Sequence, residues 1–416
     1  MKLITSKRGQ AVINRLINRG AVDLAQAERT TAKIVQDVRK TGDKALLRYA
    51  RKFDDFDGAA SFRVSESDLA SAWQQVTPEF RNALGTAAHN IRRFCEWQKP
   101  QEWIREVQPG VKLGQLVRPL DSVGCYVPGG RHPLPSTLLM TVIPAQIAGV
   151  PRIVVMSPRP APETLAAAEL LGVKEFYGVG GAQAIAALAY GTKSIPKVAK
   201  IVGPGNAFVT AAKKQIAFKC AIDMLAGPTE AAIVSESGRA EFIAADLVAQ
   251  AEHDPDALAV FITSNEKLAR RVVKESERQS AANTIARKAL RQNGYAIVTP
   301  SAEESIRIAN ALAPEHVTVS SERDLPQIES AGSVFVGDYS AQATGDYASG
   351  PNHVLPTGGS ARFRGGLSVN DFVKLITVQE YSLKGLSTLA GEVTTLAHAE
   401  GLLAHAHSIA VRMGSL

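Results

Sequence analysis

Cysteine is scarce in this chain: Cys95, Cys125 and Cys220 are the only three in 416 residues, and none sits in a CxxC pair. That excludes a thiolate zinc finger and a disulfide scaffold, and it points to a reducing compartment. Long apolar runs are also missing. No uninterrupted stretch reaches the ~18 residues a membrane helix needs, and the best candidate, Leu138 to Val150, is broken by Pro144. The opening segment, MKLITSKRGQ, has no apolar run behind its lysines, so no secretory leader is expected. The expected location is cytoplasmic. Nor does one sign of charge dominate: 47 basic against 40 acidic residues leave +7. The basic residues are scattered, and their densest segment, Lys267 to Arg278, also holds Glu275 and Glu277. A nucleic-acid footprint would be a stripe with interleaved aromatics. The charge supports a mild attraction for anionic ligands and no more, so neither nucleic acid nor membrane is an expected partner.

What is present is ordinary for a globular enzyme: 45% hydrophobic and 21% charged residues. At a soft ~150 residues per domain, the length suggests two or three domains. The first hundred residues read as helical, over Val22 to Thr41, Asp43 to Phe53, Ser65 to Val76 and Pro78 to Trp97, with Gly42 as a left-handed cap. From Val111 short β-rich runs alternate with helical segments. Strands are expected at Ser122–Val127, Arg152–Met156, Glu175–Val179, Lys200–Val202 and Ala231–Ser235. Helices are expected between them at Ser136–Ala148, Pro162–Leu171, Ala182–Tyr190 and Ala207–Phe218. The alternation repeats through helix Glu241–Ala251, strand Leu258–Thr263, helix Asn265–Arg278 and strand Tyr295–Val298. It continues with helix Ala302–Ala311, strand His316–Val319, helix Leu325–Ser330 and strand Ser333–Val336. A Gly/Pro-rich loop, Gly345 to Gly366, and a helical tail from about Asp371 follow. Such alternation implies parallel strands joined by right-handed crossovers. The expected class is α/β, with two doubly wound sheets of about five strands each.

Doubly wound sheets suggest a dinucleotide site. Gly178-Val-Gly180-Gly-Ala-Gln183 follows a strand and precedes a helix, but Gln183 stands where the third glycine should be and no ribose-binding acid lies about 20 residues on. Gly203-Pro-Gly205-Asn206 is a second such turn, and amide hydrogens at its helix start suit a phosphate. Taken alone, both turns read first as tight bends and only second as nucleotide sites. Asp246, Gln250 and His253 share one helix face, which is either a polar face or part of a metal site. Pro314-Glu315-His316 sets a carboxylate beside an imidazole, useful for proton transfer. Asp346 and His353 sit in the Gly/Pro loop, and Glu400 and His405 on the last helix, among His398 and His407.

At this point the residues match a family. The chain resembles histidinol dehydrogenases from about Asp23 to its end. The segments that carry the likeness begin with Val123-Gly-Cys-Tyr126-Val-Pro-Gly-Gly130, Gly180-Gly-Ala-Gln183 and Gly203-Pro-Gly-Asn206-Ala-Phe-Val-Thr. Ile222-Asp-Met, Ala226-Gly-Pro, Gln250-Ala-Glu-His253, Pro314-Glu-His316, Gly345-Asp-Tyr-Ala-Ser-Gly, Asn352-His-Val-Leu-Pro-Thr357 and Ala399-Glu400-Gly-Leu-Leu-Ala-His405-Ala follow in order. The resemblance implies a zinc-dependent homodimer that oxidises L-histidinol through the aldehyde to L-histidine with two NAD⁺. It implies one Zn²⁺ per subunit on Gln250, His253, Asp346 and His405, and acid/base work by Glu315 and His316. Tyr126, Gln183 and Asn206 match the NAD-contact positions. Thr229, Gln250, His253, His316, Asp346, His353, Glu400 and His405 match positions around the substrate.

The resemblance also implies two incomplete Rossmann-like domains with helical N- and C-terminal dimerisation extensions. The corresponding division is 1–20 as N-terminal extension, 21–122 with 231–367 as the first domain carrying zinc and catalytic residues, 123–230 as the second carrying NAD contacts, and 368–416 as the dimerisation tail. In the family this tail crosses to the other subunit, so each active site is expected to take Glu400 and His405 from its partner. Two departures stand out. Thr229 replaces a serine common among relatives, and Arg131-His132 follows a Pro-Gly-Gly turn where small residues are usual. One rival is a superfamily relative that oxidises a sulfonated diol; Glu400 argues against it, because a carboxylate suits an amine and repels a sulfonate. The other rival is a non-catalytic nucleic-acid binder on the same fold.

Overall fold

The computed structural model describes residues 1–20, 24–57, 61–129 and 133–414. Val22 and Asp23, at the start of the first predicted helix, and Gly130, Arg131 and His132, beside the Pro-Gly-Gly turn, lie outside the described residues.

Two parallel sheets form the centre. One has six strands in the order Lys2–Thr5, Gly294–Val298, Leu258–Thr263, Glu230–Val234, His316–Val319 and Ser333–Val336. The other has five, ordered Glu175–Tyr177, Ile153–Met156, Val123–Tyr126, Lys200–Val202 and Ala221–Ile222. All neighbouring pairs in both run parallel. Each sheet is sandwiched between two apolar layers. Leu138, Met140 and Ile143 of the helix Pro135–Ala148 cover one face of the five-stranded sheet, and Ile185 and Leu188 of Gly181–Tyr190 the other. Strands buried on both faces read as continuous apolar runs, as Leu258–Thr263 does.

The doubly wound class is therefore observed, with departures at the periphery. Residues 1–20 form more than an extension: Lys2–Thr5 pairs with Gly294–Val298 as an edge strand, and Gln10–Ile17 is a helix. The helices Ala25–Thr41 and Asp43–Phe53 pack on the five-stranded sheet's helices, not on the six-stranded unit with which 21–122 was grouped. Their apolar stripe fits either partner as sequence; only the chain path decides. Gly42 does take a positive φ of 53°, although its ψ of −127° lies outside the left-handed helical region.

A third sheet, of three strands, is not among the elements the sequence pattern predicts. Trp103–Gln108, Val111–Pro119 and Val373–Tyr381 pair antiparallel, so the tail opens with a strand rather than a helix. Val-Lys-Leu-Ile-Thr-Val alternates poorly, and its pairing partner lies some 260 residues upstream by register, Leu375 against Val117. The predicted helix Leu325–Ser330 is a 3₁₀ turn, Glu322–Gln327, with Pro326 inside it. The tail's end is two helices, Ala390–Ala399 and Leu403–Arg412, because Gly401 turns the chain at φ +75°. Glu400 caps the first, and His405 lies on the second.

These two helices pack mainly on one another, and the short helix Leu383–Ser387 links Ala390–Ala399 to Val373–Tyr381. Leu383, Leu396 and Leu403 are consequently each about two-thirds exposed. No helix among the described residues is long and apolar enough to cross a membrane.

Candidate active site

In open α/β sheets, ligands ordinarily sit beyond the carboxyl ends of the strands. The five-stranded sheet obeys this rule. Its strand order reverses between Val123–Tyr126 and Lys200–Val202, whose carboxyl ends carry Tyr126 and the Gly203 turn. The six-stranded sheet departs from it: Thr229, Glu315 and His316 lie at the amino ends of Glu230–Val234 and His316–Val319. The two edges face one cavity of about 270 Å³. Pro204 and Met224 line it from the five-stranded side. Thr229, Gln250, His253, Glu315, His316, Asp346 and His353 line it from the other. Seven residues singled out from the sequence thus converge.

Glu315 is buried, and both of its hydrogen bonds fall on Oε2, from the Thr229 hydroxyl at 2.6 Å and the Glu230 amide at 3.0 Å. Burial raises its carboxyl to about 7, against the opposing pull of His316. His316 is also buried. Its Nε2 stands 3.6 Å from Asp346 Oδ1, and its Nδ1 stands 3.8 Å from Glu315 Oε2 without a hydrogen-bond partner. Burial alone would lower the imidazole; Glu315 and Asp346 outweigh it and raise it. Asp346 stays acidic despite burial because His316, and more weakly His353 and His253, favour its charged form. Asp346 belongs to a short helix, Gln342–Tyr347, rather than to an open loop. His353 Nδ1 lies 2.7 Å from the Asp346 carbonyl and secures that turn, and burial pushes its imidazole down. A carboxyl raised to about 7 beside an imidazole raised above its ordinary value makes a proton-transfer pair.

Gln250 lies in the last turn of the helix Ala240–Ala251, and His253 follows just beyond its end. The Thr229 hydroxyl stands within hydrogen-bond distance of both Gln250 Oε1 (2.9 Å) and Glu315 Oε2 (2.6 Å), and its single proton serves one of them at a time. Gln250, His253 and Asp346 supply an amide oxygen, an imidazole and a carboxylate to one cavity, a borderline donor set that fits zinc. His405 and Glu400 do not line it; both are exposed on the tail of their own chain. Among the described residues no cluster of three His, Cys, Asp or Glu gathers as a metal site. One chain therefore presents three of the four expected ligands.

The three expected NAD-contact residues take structural posts around the two glycine turns. The Tyr126 hydroxyl accepts the Gly181 amide (3.1 Å), and burial pushes its phenol up to about 12. Gln183 is buried, its Nε2 donating to Asp54 (3.0 Å), and Asp54 also accepts the Gly180 amide (3.2 Å). Asn206 caps the helix Ala207–Ile216 by accepting the Phe208 and Val209 amides, and stays exposed. Nothing in the local sequence marks Asp54, because its partners lie about 126 residues away. The same holds for Arg19, whose two guanidinium bonds (2.6 and 2.5 Å) hold Glu230, which in turn accepts the Gly358 amide (3.0 Å). No local pattern marks either residue.

Fold and site together define an α/β enzyme of the dehydrogenase type, with a buried acid/base pair facing a nucleotide-style turn. The histidinol dehydrogenase profile matches residues 17–413. A histidinol dehydrogenase of Methanosarcina mazei is 45% identical across 97% of this chain and 96% of its own. That of Methanothermobacter thermautotrophicus is 46% identical, covering 96% and 97%. The crystal structure of the Elizabethkingia anophelis histidinol dehydrogenase superposes with a TM-score of 0.93 at 38% identity, covering 100% of this chain and 98% of that one. The chain belongs to the histidinol dehydrogenase family and is an oxidoreductase.

Proposed function

We propose that this protein oxidises L-histidinol through L-histidinal to L-histidine, the last steps of histidine biosynthesis, using Zn²⁺ and two NAD⁺. The observation that carries the reading is the convergence of Glu315, His316, Gln250, His253 and Asp346 on one cavity beside the Gly203 turn. Zinc on Gln250, His253 and Asp346, with His405, would hold the substrate's imidazole and amine as a template. NAD⁺, bound beside Tyr126, Gln183 and Asn206, would accept each hydride. His316 takes the alcohol proton, steadied by Asp346. Glu315 then takes a proton from water through Oε1, the oxygen free of hydrogen bonds among the described residues, as the water adds to the aldehyde. His316 gives its proton to the aldehyde oxygen as the hydrate forms, and is thereby free to take a hydroxyl proton when the hydrate gives up its second hydride. Thr229 and His353 hold Glu315 and Asp346 beside the substrate. We place the enzyme in the cytoplasm, consistent with three buried free cysteines.

The same reading makes the protein a homodimer. The exposed apolar tail needs a covering surface, and the cavity lacks His405 and Glu400. A partner's tail supplies both.

An NAD⁺-reduction assay with histidinol, histidinal and a panel of other alcohols, sulfonated diols included, tests the substrate. NADH formed from histidinol and histidinal alone is the expected result; turnover of a sulfonated diol instead overturns it. The metal is tested separately. His253→Asn or Asp346→Ala is expected to remove bound zinc, measured by elemental analysis, and to lower activity more than about 100-fold. Full occupancy in both variants would refute the ligand assignment.

A further inference from the structure

Lys213 and Asp223 form an ion pair sealed from solvent, at 2% and 6% exposure, outside the acid/base machinery. A buried ion pair seldom adds net stability, so its retention calls for another account. Its partners supply one. Asp223 Oδ2 accepts the Gly203 amide at 2.7 Å, and Lys213 Nζ donates to the Gly203 carbonyl at 3.0 Å. The pair therefore grips both polar groups of one residue. Gly203 opens the turn to Asn206 at the sheet's switch point, with φ +110°, and a Cβ there would run into the Tyr126 carbonyl. No other residue type fits so close to the neighbouring strand.

The other side of the pair faces the substrate cavity. Asp223 Oδ1 accepts the next amide, Met224, at 2.6 Å, and the Asp223 carbonyl accepts Arg364. Met224 begins the loop that ends at Thr229, whose hydroxyl lies within hydrogen-bond distance of Glu315 and Gln250. The Thr210 hydroxyl, on the same helix as Lys213, donates to Ala226 within that loop (3.1 Å). Asp223 thus binds the Gly203 turn and the Met224–Thr229 loop with one carboxylate.

We propose that Lys213 and Asp223 are positioning residues that fix the Gly203–Asn206 turn against the Met224–Thr229 loop, and so set where NAD⁺ lies relative to the substrate. The inference rests on the proposed NAD⁺-dependent reaction. Neither residue touches substrate; both act through Gly203 and Met224.

The test uses the full chain with zinc, in three forms: Lys213→Met, Lys213→Met with Asp223→Asn, and Lys213→Arg. Lys213→Met alone leaves a buried carboxylate unpaired and should lower Tm. The double variant removes both charges and should recover most of that Tm. If the pair positions the turn, NAD⁺ affinity by calorimetry stays weakened about tenfold or more in the double variant and in Lys213→Arg. The KM for NAD⁺ rises in step, while zinc affinity by chelator competition stays within about twofold of wild type. Wild-type NAD⁺ affinity in either folded variant overturns the proposal. So does an equal loss of zinc affinity, or failure of both variants to fold, since either marks a purely structural pair. A wild-type protein that neither binds NAD⁺ nor reduces it with histidinol fails the underlying reading instead, and the control shows it before any variant is compared.

Discussion

Mixing two inactive variants, His316→Asn and His405→Asn, is expected to restore about a quarter of wild-type activity once subunits exchange. Each variant alone should be nearly dead, one for want of a base and the other for want of a ligand. In a mixed dimer with crossed tails, one cavity receives both defects and the other receives neither. Random exchange makes roughly half the dimers mixed, and half the sites in those are intact. The expectation rests on where the tail lies. Leu383, Leu396 and Leu403 stand largely exposed, and Glu400 and His405 line no part of their own chain's cavity. At about 25 cal/mol per Å² of apolar surface removed from water, covering several leucines favours association strongly. Dimerisation then becomes a condition for catalysis, and activity should fall on dilution below the dimer's Kd. No recovery after proven exchange would mean that the tail serves its own subunit.

The centre of this fold was legible because most strands of the two parallel sheets are short apolar runs between helices with readable ends; the edge strands Lys2–Thr5 and Ala221–Ile222 were not. Lys200–Val202, Leu258–Thr263, His316–Val319 and Ser333–Val336 begin and end where the pattern puts them. The site was legible for a different reason. Glu315, His316, Gln250 and His253 sit in compact polar motifs interrupting apolar elements, and the strand order brings those interruptions to one edge. The third sheet was not legible, since Val373–Tyr381 finds its partner Val111–Pro119 across most of the chain and its surface is exposed. Pairing at such separation leaves no periodic trace. Lys213 and Asp223 were hidden for the same reason at shorter range: a lysine on an amphipathic helix reads as solvent-facing until the chain path seals it.

Glu315→Gln should slow histidinal oxidation by about 10² to 10⁴-fold while slowing the alcohol step far less. Only the aldehyde step needs an activated water, and glutamine keeps the bonds from Thr229 and Glu230 but accepts no proton. His316→Asn should do the reverse, striking alcohol oxidation first. Wild-type histidinal oxidation should climb as pH rises through about 7, where Glu315 ionises, and then level off; Glu315→Gln should lose that limb. Stability should move the other way. Burial raises this carboxyl in the folded state from 4.5 to about 7, so the stability conferred by the protonated form is complete below pH 4.5 and lost as pH rises to 7. At 1.36 kcal/mol per pKa unit, the loss reaches about 3 kcal/mol. Glutamine carries no charge to bury, so metal-free Glu315→Gln should unfold at higher temperature than metal-free wild type at pH 8, with little difference at pH 4.5. A base held ionised in an apolar setting costs the fold what it lends the reaction. Equal slowing of both half-reactions in single-turnover assays would remove Glu315 from the water-activating role, and an unchanged Tm at pH 8 would show that its charge is already compensated.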